Sequence, residues 1–118
     1  MGIYSSDVDG LNVDYIRPQD NGNHGECRYV KLSDSQGKGI MFCACEKPFS
    51  FSVHNYSNET LDKAKHIEEI KKEDFVSFNI DGFLRGTGSN SCGPNALKQY
   101  RVYLKDELEF KFCFMPVK

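Results

Sequence analysis

An all-β chain, folded as an antiparallel β-sandwich with one short helix, is what these 118 residues predict. Three observations carry that reading. Phe49-Ser50-Phe51-Ser52-Val53-His54 alternates strictly between large apolar and polar side chains, which is the period of a strand with one buried face. Leu108, Phe110, Phe112 and Phe114 make a second apolar stripe, with Glu109 and Lys111 between them. Turn chemistry separates such segments roughly every ten residues, as in sandwiches.

Taken in order, residues 1–11 are small and polar and read as a flexible lead-in, with 12–118 as the sandwich domain. Val13 to Ile16 reads as a short strand that ends at Arg17-Pro18, because proline donates no backbone hydrogen bond. Gln19 to Gly25 is a polar loop rich in Asn and Gly. Glu26 to Leu32 reads as the next strand, and Ser33-Asp34-Ser35-Gln36-Gly37 as a turn. Gly39 to Cys45 is apolar on both faces, which suits a central strand. In the 49–54 strand the Phe49, Phe51, Val53 face is expected in the core, and the Ser50, Ser52, His54 face against solvent or a polar groove. Ser57 is a good cap for a helix over 58–65, with Leu61 and Ala64 on one side. His66 to Asp74 is charged and reads as a solvated turn. Phe75 to Asp81, Tyr100 to Leu104 and Leu108 to Phe114 complete the strands. The two apolar stripes either bury each other in a compact fold or leave a face for self-association, and the compact form is the favoured expectation.

Composition narrows function. The net charge of −2 and the lack of a basic stripe argue against nucleic acid. No apolar run approaches the roughly 18 residues of a membrane span. The five cysteines, Cys27, Cys43, Cys45, Cys92 and Cys113, are odd in number and mostly within strand segments, so reduced thiols are expected. No paired-ligand spacing suggests a metal, and no cofactor is expected. A glycosidase needs two carboxyl groups about 5 to 10 Å apart. The acids here, such as Asp34, Glu46, Glu59, Glu73, Asp106 and Glu107, sit in charged turns and on polar strand faces. No catalytic residue is assigned.

Two motifs stand apart. Gly86-Thr87-Gly88-Ser89-Asn90-Ser91-Cys92-Gly93-Pro94 cannot build a core and reads as a shaped loop between strands, the place where function usually sits. Arg17-Pro18-Gln19-Asp20-Asn21-Gly22-Asn23 is a polar loop whose Arg17, Gln19, Asn21 and Asn23 suit either sugar contacts or a loop closed on itself, the structural role being favoured. His54 and His66 read as rim residues satisfied by hydrogen bonds.

Together with Phe51-Ser52, Tyr56-Ser57, Leu61, Ala64, His66, Asn79-Ile80-Asp81 and Tyr100-Arg101, these motifs resemble the C-terminal β-sandwich domain, or small-chain domain, of glycoside hydrolase family 2 β-galactosidases, of which the chain resembles the C-terminal portion. Asp20 stands where that family usually has Glu. The resemblance implies part of a supersandwich of galactose-mutarotase-like type. It implies a non-catalytic domain that buttresses a catalytic (β/α)₈ barrel, since the family's catalytic glutamates lie in that barrel. It also implies that the 86–94 loop approaches the sugar pocket, with Asn90, Ser91 and Cys92 as substrate-side residues. Some family members carry a tryptophan at the Cys92 position, and a cysteine supplies no such aromatic platform. Arg17, Pro18, Gln19, Asn21, Gly22, Asp81, Gly86, Gly88, Gly93, Tyr100 and Arg101 are the structural motif positions. The implied partner is the catalytic portion of a β-galactosidase, in the same or a separate chain, with a galactoside as ligand; the cytoplasm is the location expected from the reduced thiols. The alternatives are a stand-alone carbohydrate-binding module or a separate small subunit of a heteromeric β-galactosidase.

Overall fold

A computed structural model describes residues 2–14, 17–84, 95–103 and 107–118. The described strands are β1 (His24–Cys27), β2 (Tyr29–Ser33), β3 (Gly39–Ala44), β4 (Phe49–His54), β5 (Ser77–Asp81) and β6 (Phe112–Val117). They form two sheets of three, ordered β1-β4-β5 and β2-β3-β6. The helix α1 spans Asn58–Lys63. The all-β class, with one short α-helix among the described residues, is therefore what the chain adopts. Residues 1–24 with 51–80 make one compact unit, and 25–50 with 81–118 a second.

In the second unit, β2 and β3 form a hairpin. Val30 opposes Phe42 and Leu32 opposes Ile40. Asp34 shapes the turn: its Oδ1 accepts from the backbone N–H groups of Gln36 (2.8 Å) and Lys38 (3.0 Å). Gly37 supplies the left-handed residue at φ 83°. The strand β3 is central, with β6 antiparallel on its other edge, Phe114 opposite Phe42 and Phe112 opposite Ala44. Pro116 lies within β6, which is tolerable because β6 is an edge strand of this sheet.

Register divides this sheet into two faces. Val30, Leu32, Ile40, Phe42, Phe112, Phe114 and Pro116 share one, which is apolar throughout. The Phe42 ring lies 6.2 Å from both the Phe112 and Phe114 rings. That face is incompletely covered, since Phe114 is 66% exposed and Phe112 38%. Leu108, Phe112 and Phe114 are all exposed. The stripe starts later than expected. Leu108 and Phe110 precede the strand, because pairing with Gly39–Ala44 selects 112–117.

In the first unit, α1 begins where Ser57 predicts, with the Ser57 hydroxyl accepting from Thr60 N–H at 3.2 Å. Leu61 is buried beneath it. Tyr56 and Val53 are buried as well.

Three other expectations are corrected. The single 26–32 strand is two strands in different sheets, β1 ending at Cys27 and β2 starting at Tyr29, and Glu26 within β1 takes φ 58°. Val13 and Asp14 lie outside any strand, and Val13 N–H instead donates to Oδ1 of Asn21 at 3.4 Å; Tyr15 and Ile16 lie outside the described residues. Tyr100 closes a 3-10 turn (Lys98–Tyr100) and 101–103 form no strand, since Tyr100 N–H finds Leu97 O at 2.8 Å locally.

Candidate functional site

The 17–23 loop gathers around one side chain in the first unit. His54 ends β4 and is 1% exposed. Strict alternation places it opposite the Val53 face, where a groove or solvent was expected. Ser50 and Ser52 on that face are buried too, so β4 is covered on both sides. His54 is thus a buried residue, and the rim position expected for it is corrected. Its Nε2 donates to the backbone carbonyl of Asn21 at 3.1 Å, which sets the tautomer. Its Nδ1 is 3.5 Å from Oδ1 of Asn12. The imidazole stacks on Tyr56, with ring centroids 4.8 Å apart and 17° between planes.

Two loop residues make this approach feasible. Gly22 adopts φ 70°, and a Cβ there would sit 3.2 Å from the His54 ring. Asn21 Nδ2 donates to Gln19 O at 2.8 Å and reaches the Tyr56 hydroxyl at 3.4 Å. The loop is closed on itself and locked to β4 by the same residues.

Arg17, Gln19 and Asp20 face another environment. With Asn58, Asp62 and Ala64 of the α1 region they line a polar cleft of about 350 Å³. This cleft brings one guanidinium, two carboxylates and two amides together, a donor and acceptor set suited to hydroxyl groups.

Sequence reasoning passed over Glu73. It lies in the stretch read as a solvated turn, yet its Oε1 accepts from Ser57 N–H (3.2 Å), Ser57 Oγ (3.0 Å) and Thr60 Oγ1 (2.5 Å). These bonds, that from Thr60 foremost, hold its carboxyl below the ordinary glutamate range. Glu73 N–H also donates to Asn55 O at 2.7 Å, which fixes the segment against the start of α1. No local pattern signals this role, because its partners lie 13 and 16 residues earlier.

The remaining positions are scattered. Asp81 ends β5. Arg101 Nε donates to Ala96 O at 2.5 Å, and Tyr100 is exposed. Gly86, Gly88, Asn90, Ser91, Cys92 and Gly93 lie outside the described residues. Among the described residues, no group of three or more His, Cys, Asp or Glu side chains is placed to hold a metal ion. No described helix is long and apolar enough to cross a membrane.

Comparison with known proteins converges on one group. The β-galactosidase of Actinobacillus pleuropneumoniae is 39% identical over 114 residues, 97% of this chain and 10% of that protein. The β-galactosidase of Staphylococcus xylosus is 37% identical over 98 residues, 83% of this chain and 10% of that protein. That of Kluyveromyces lactis is 32% identical over 116 residues, 97% of this chain and 11% of that protein. The chain therefore spans about a tenth of the length of these relatives. The sequence model of the family described as beta galactosidase small chain matches residues 1–114. With nearly every position matched, the chain belongs to the beta galactosidase small chain family.

Proposed function

We propose that this chain is a non-catalytic part of a β-galactosidase of glycoside hydrolase family 2, which buttresses the catalytic portion and contributes its 86–94 loop near the sugar pocket. The observation that carries the reading is the family match over residues 1–114 to a segment that is only about a tenth of its relatives. Chemistry within the chain agrees. Glu73 is held below the ordinary glutamate range, the wrong direction for a general acid, and its Oε1 is engaged at the start of α1. The 17–23 loop is read as a structural clamp on His54 and Tyr56 rather than as a sugar site. Cys92 removes aromatic stacking from the loop's contribution and leaves polar contacts from Asn90 and Ser91.

The apolar face of β2-β3-β6 supplies the means of attachment. Exposed rings at Phe112 and Phe114 are surface that a larger protein covers, and each buried Phe contributes about 1.5 to 3 kcal/mol. The test mixes the chain with the Actinobacillus pleuropneumoniae β-galactosidase from which the matching tenth has been deleted. Co-elution on a sizing column is expected, and Phe114→Asp should weaken it by at least about tenfold, since tenfold is about 1.4 kcal/mol. A chain that elutes alone, with an intact circular dichroism spectrum, would contradict the buttress reading. Elution of the chain as its own dimer would instead favour self-association.

A further inference from the structure

The opposite face of the same sheet carries three thiols. Cys43 on β3 lies directly across from Cys113 on β6, and Cys45 follows two residues along on the Cys43 side. The register sets Cys43 and Cys113 side by side on one face of the sheet, with Cys45 diagonal to Cys113. None of the three is bonded to another as a disulfide; Cys45 and Cys113 are exposed and Cys43 is half-buried. Neither the family match nor the proposed function uses them.

We propose that Cys43 and Cys113 form a dithiol modification site, which a low-molecular-weight disulfide oxidises to a cross-strand bridge that fastens β6 to β3. Register selects the pair. Cys45 N–H donates to Lys111 O at 3.4 Å, which marks that pair as hydrogen-bonded, and alternation makes Cys43 with Cys113 the same kind. Cα atoms of such pairs are about 5.5 Å apart, within the range a disulfide spans, and closing the bridge draws the two Cβ atoms in from about 5.5 Å to about 4 Å, a shift that the edge strand β6 can make. Cys45 is diagonal to Cys113, and diagonal neighbours are about 7 to 8 Å apart, beyond easy bridging. Its place is that of a second nucleophile beside the bridge, able to compete for Cys113.

The chemistry balances in two exchanges. The exposed Cys113 thiolate attacks one sulfur of oxidised glutathione, giving a mixed disulfide and releasing one glutathione thiolate. The Cys43 thiolate then attacks the Cys113 sulfur, forming the bridge and releasing the second glutathione. Two protein thiols are oxidised, one glutathione disulfide is reduced, and the two thiol protons go to the departing thiolates. Partial desolvation, then Cys113 nearby, raises the Cys43 thiol above its ordinary range, so a mildly alkaline buffer suits the reaction. The bridge joins positions 70 apart in sequence, one in the central strand and one in the edge strand.

The test treats the reduced full chain with oxidised glutathione, quenches it with acid and maps peptides without reduction. A Cys43–Cys113 peptide is expected, formed at least about tenfold faster in the native chain than in urea, because the fold supplies the effective concentration. The Cys45→Ser variant should form the same bridge at least as fast. Glutathione adducts on Cys45 and Cys113 without a protein bridge would overturn the proposal. So would a bridge that involves Cys27 or Cys92, or equal rates in native and unfolded chain.

Discussion

Replacing Gly39 by alanine is expected to destabilise the chain by about 3 kcal/mol, the upper end of what overpacking usually costs. A Cβ at this position would lie 1.8 Å from the carbonyl oxygen of Leu32, with Ser33 Cα at 2.7 Å. Both are backbone atoms, so no side chain can rotate away. Gly39 opposes Ser33 on one side and Val117 on the other. Moving it therefore disturbs the pairing of β3 with both neighbours. Gly37, two residues earlier, is the internal control. It sits at φ 83° with nothing within 4 Å of an added Cβ, so Gly37→Ala meets only the left-handed backbone penalty, about 1 to 2 kcal/mol. Urea unfolding followed by circular dichroism separates the two. Equal losses at both sites would mean that the hairpin strands are not packed as closely as described.

The His54→Ala variant is expected to lose about 3 kcal/mol. Removing a nearly inaccessible ring empties a space between Gly22 and Tyr56, and large-to-small changes in such places cost about 2 to 5 kcal/mol. The Asn21 carbonyl also loses its donor, and an unsatisfied buried group costs about 1 to 3 kcal/mol. The two losses overlap in part, because water can enter the vacated space and hydrogen-bond to that carbonyl. The effect should reach the loop itself, so proteolysis at 17–23 should accelerate in parallel. An unchanged urea midpoint would show that the loop is not held by His54, and the structural reading of 17–23 would fail.

What could be read from the sequence was local. The β2–β3 turn follows from Asp34 and Gly37, and the start of α1 from Ser57, because each motif satisfies its own backbone within a few residues. The alternation of β4 correctly marked a strand, but not that both faces would be covered. The cover over His54 comes from a loop 33 residues earlier, which no period of two can reveal. Glu73 was hidden in a charged run for the same reason. The positive φ at Glu26, just before the strands part at Arg28, has no residue signal, since glutamate is not a residue that usually takes one. The placement of β6 was displaced because a stripe of four aliphatic and aromatic residues marks a strand, while its partner on β3 decides which of them pair. Of the two motifs, the 17–23 loop resolves into named contacts, and the 86–94 loop lies outside the described residues.

The central claim is that this chain supports a glycosidase without itself carrying the reaction. Turnover of a chromogenic β-galactoside by the purified chain measures it most directly. The account predicts no hydrolysis above the buffer rate, because catalysis of this kind needs two positioned carboxyl groups that the chain is not expected to supply. Steady turnover that a single acid-to-amide change abolishes, for instance Glu73→Gln or Asp62→Asn, would contradict it.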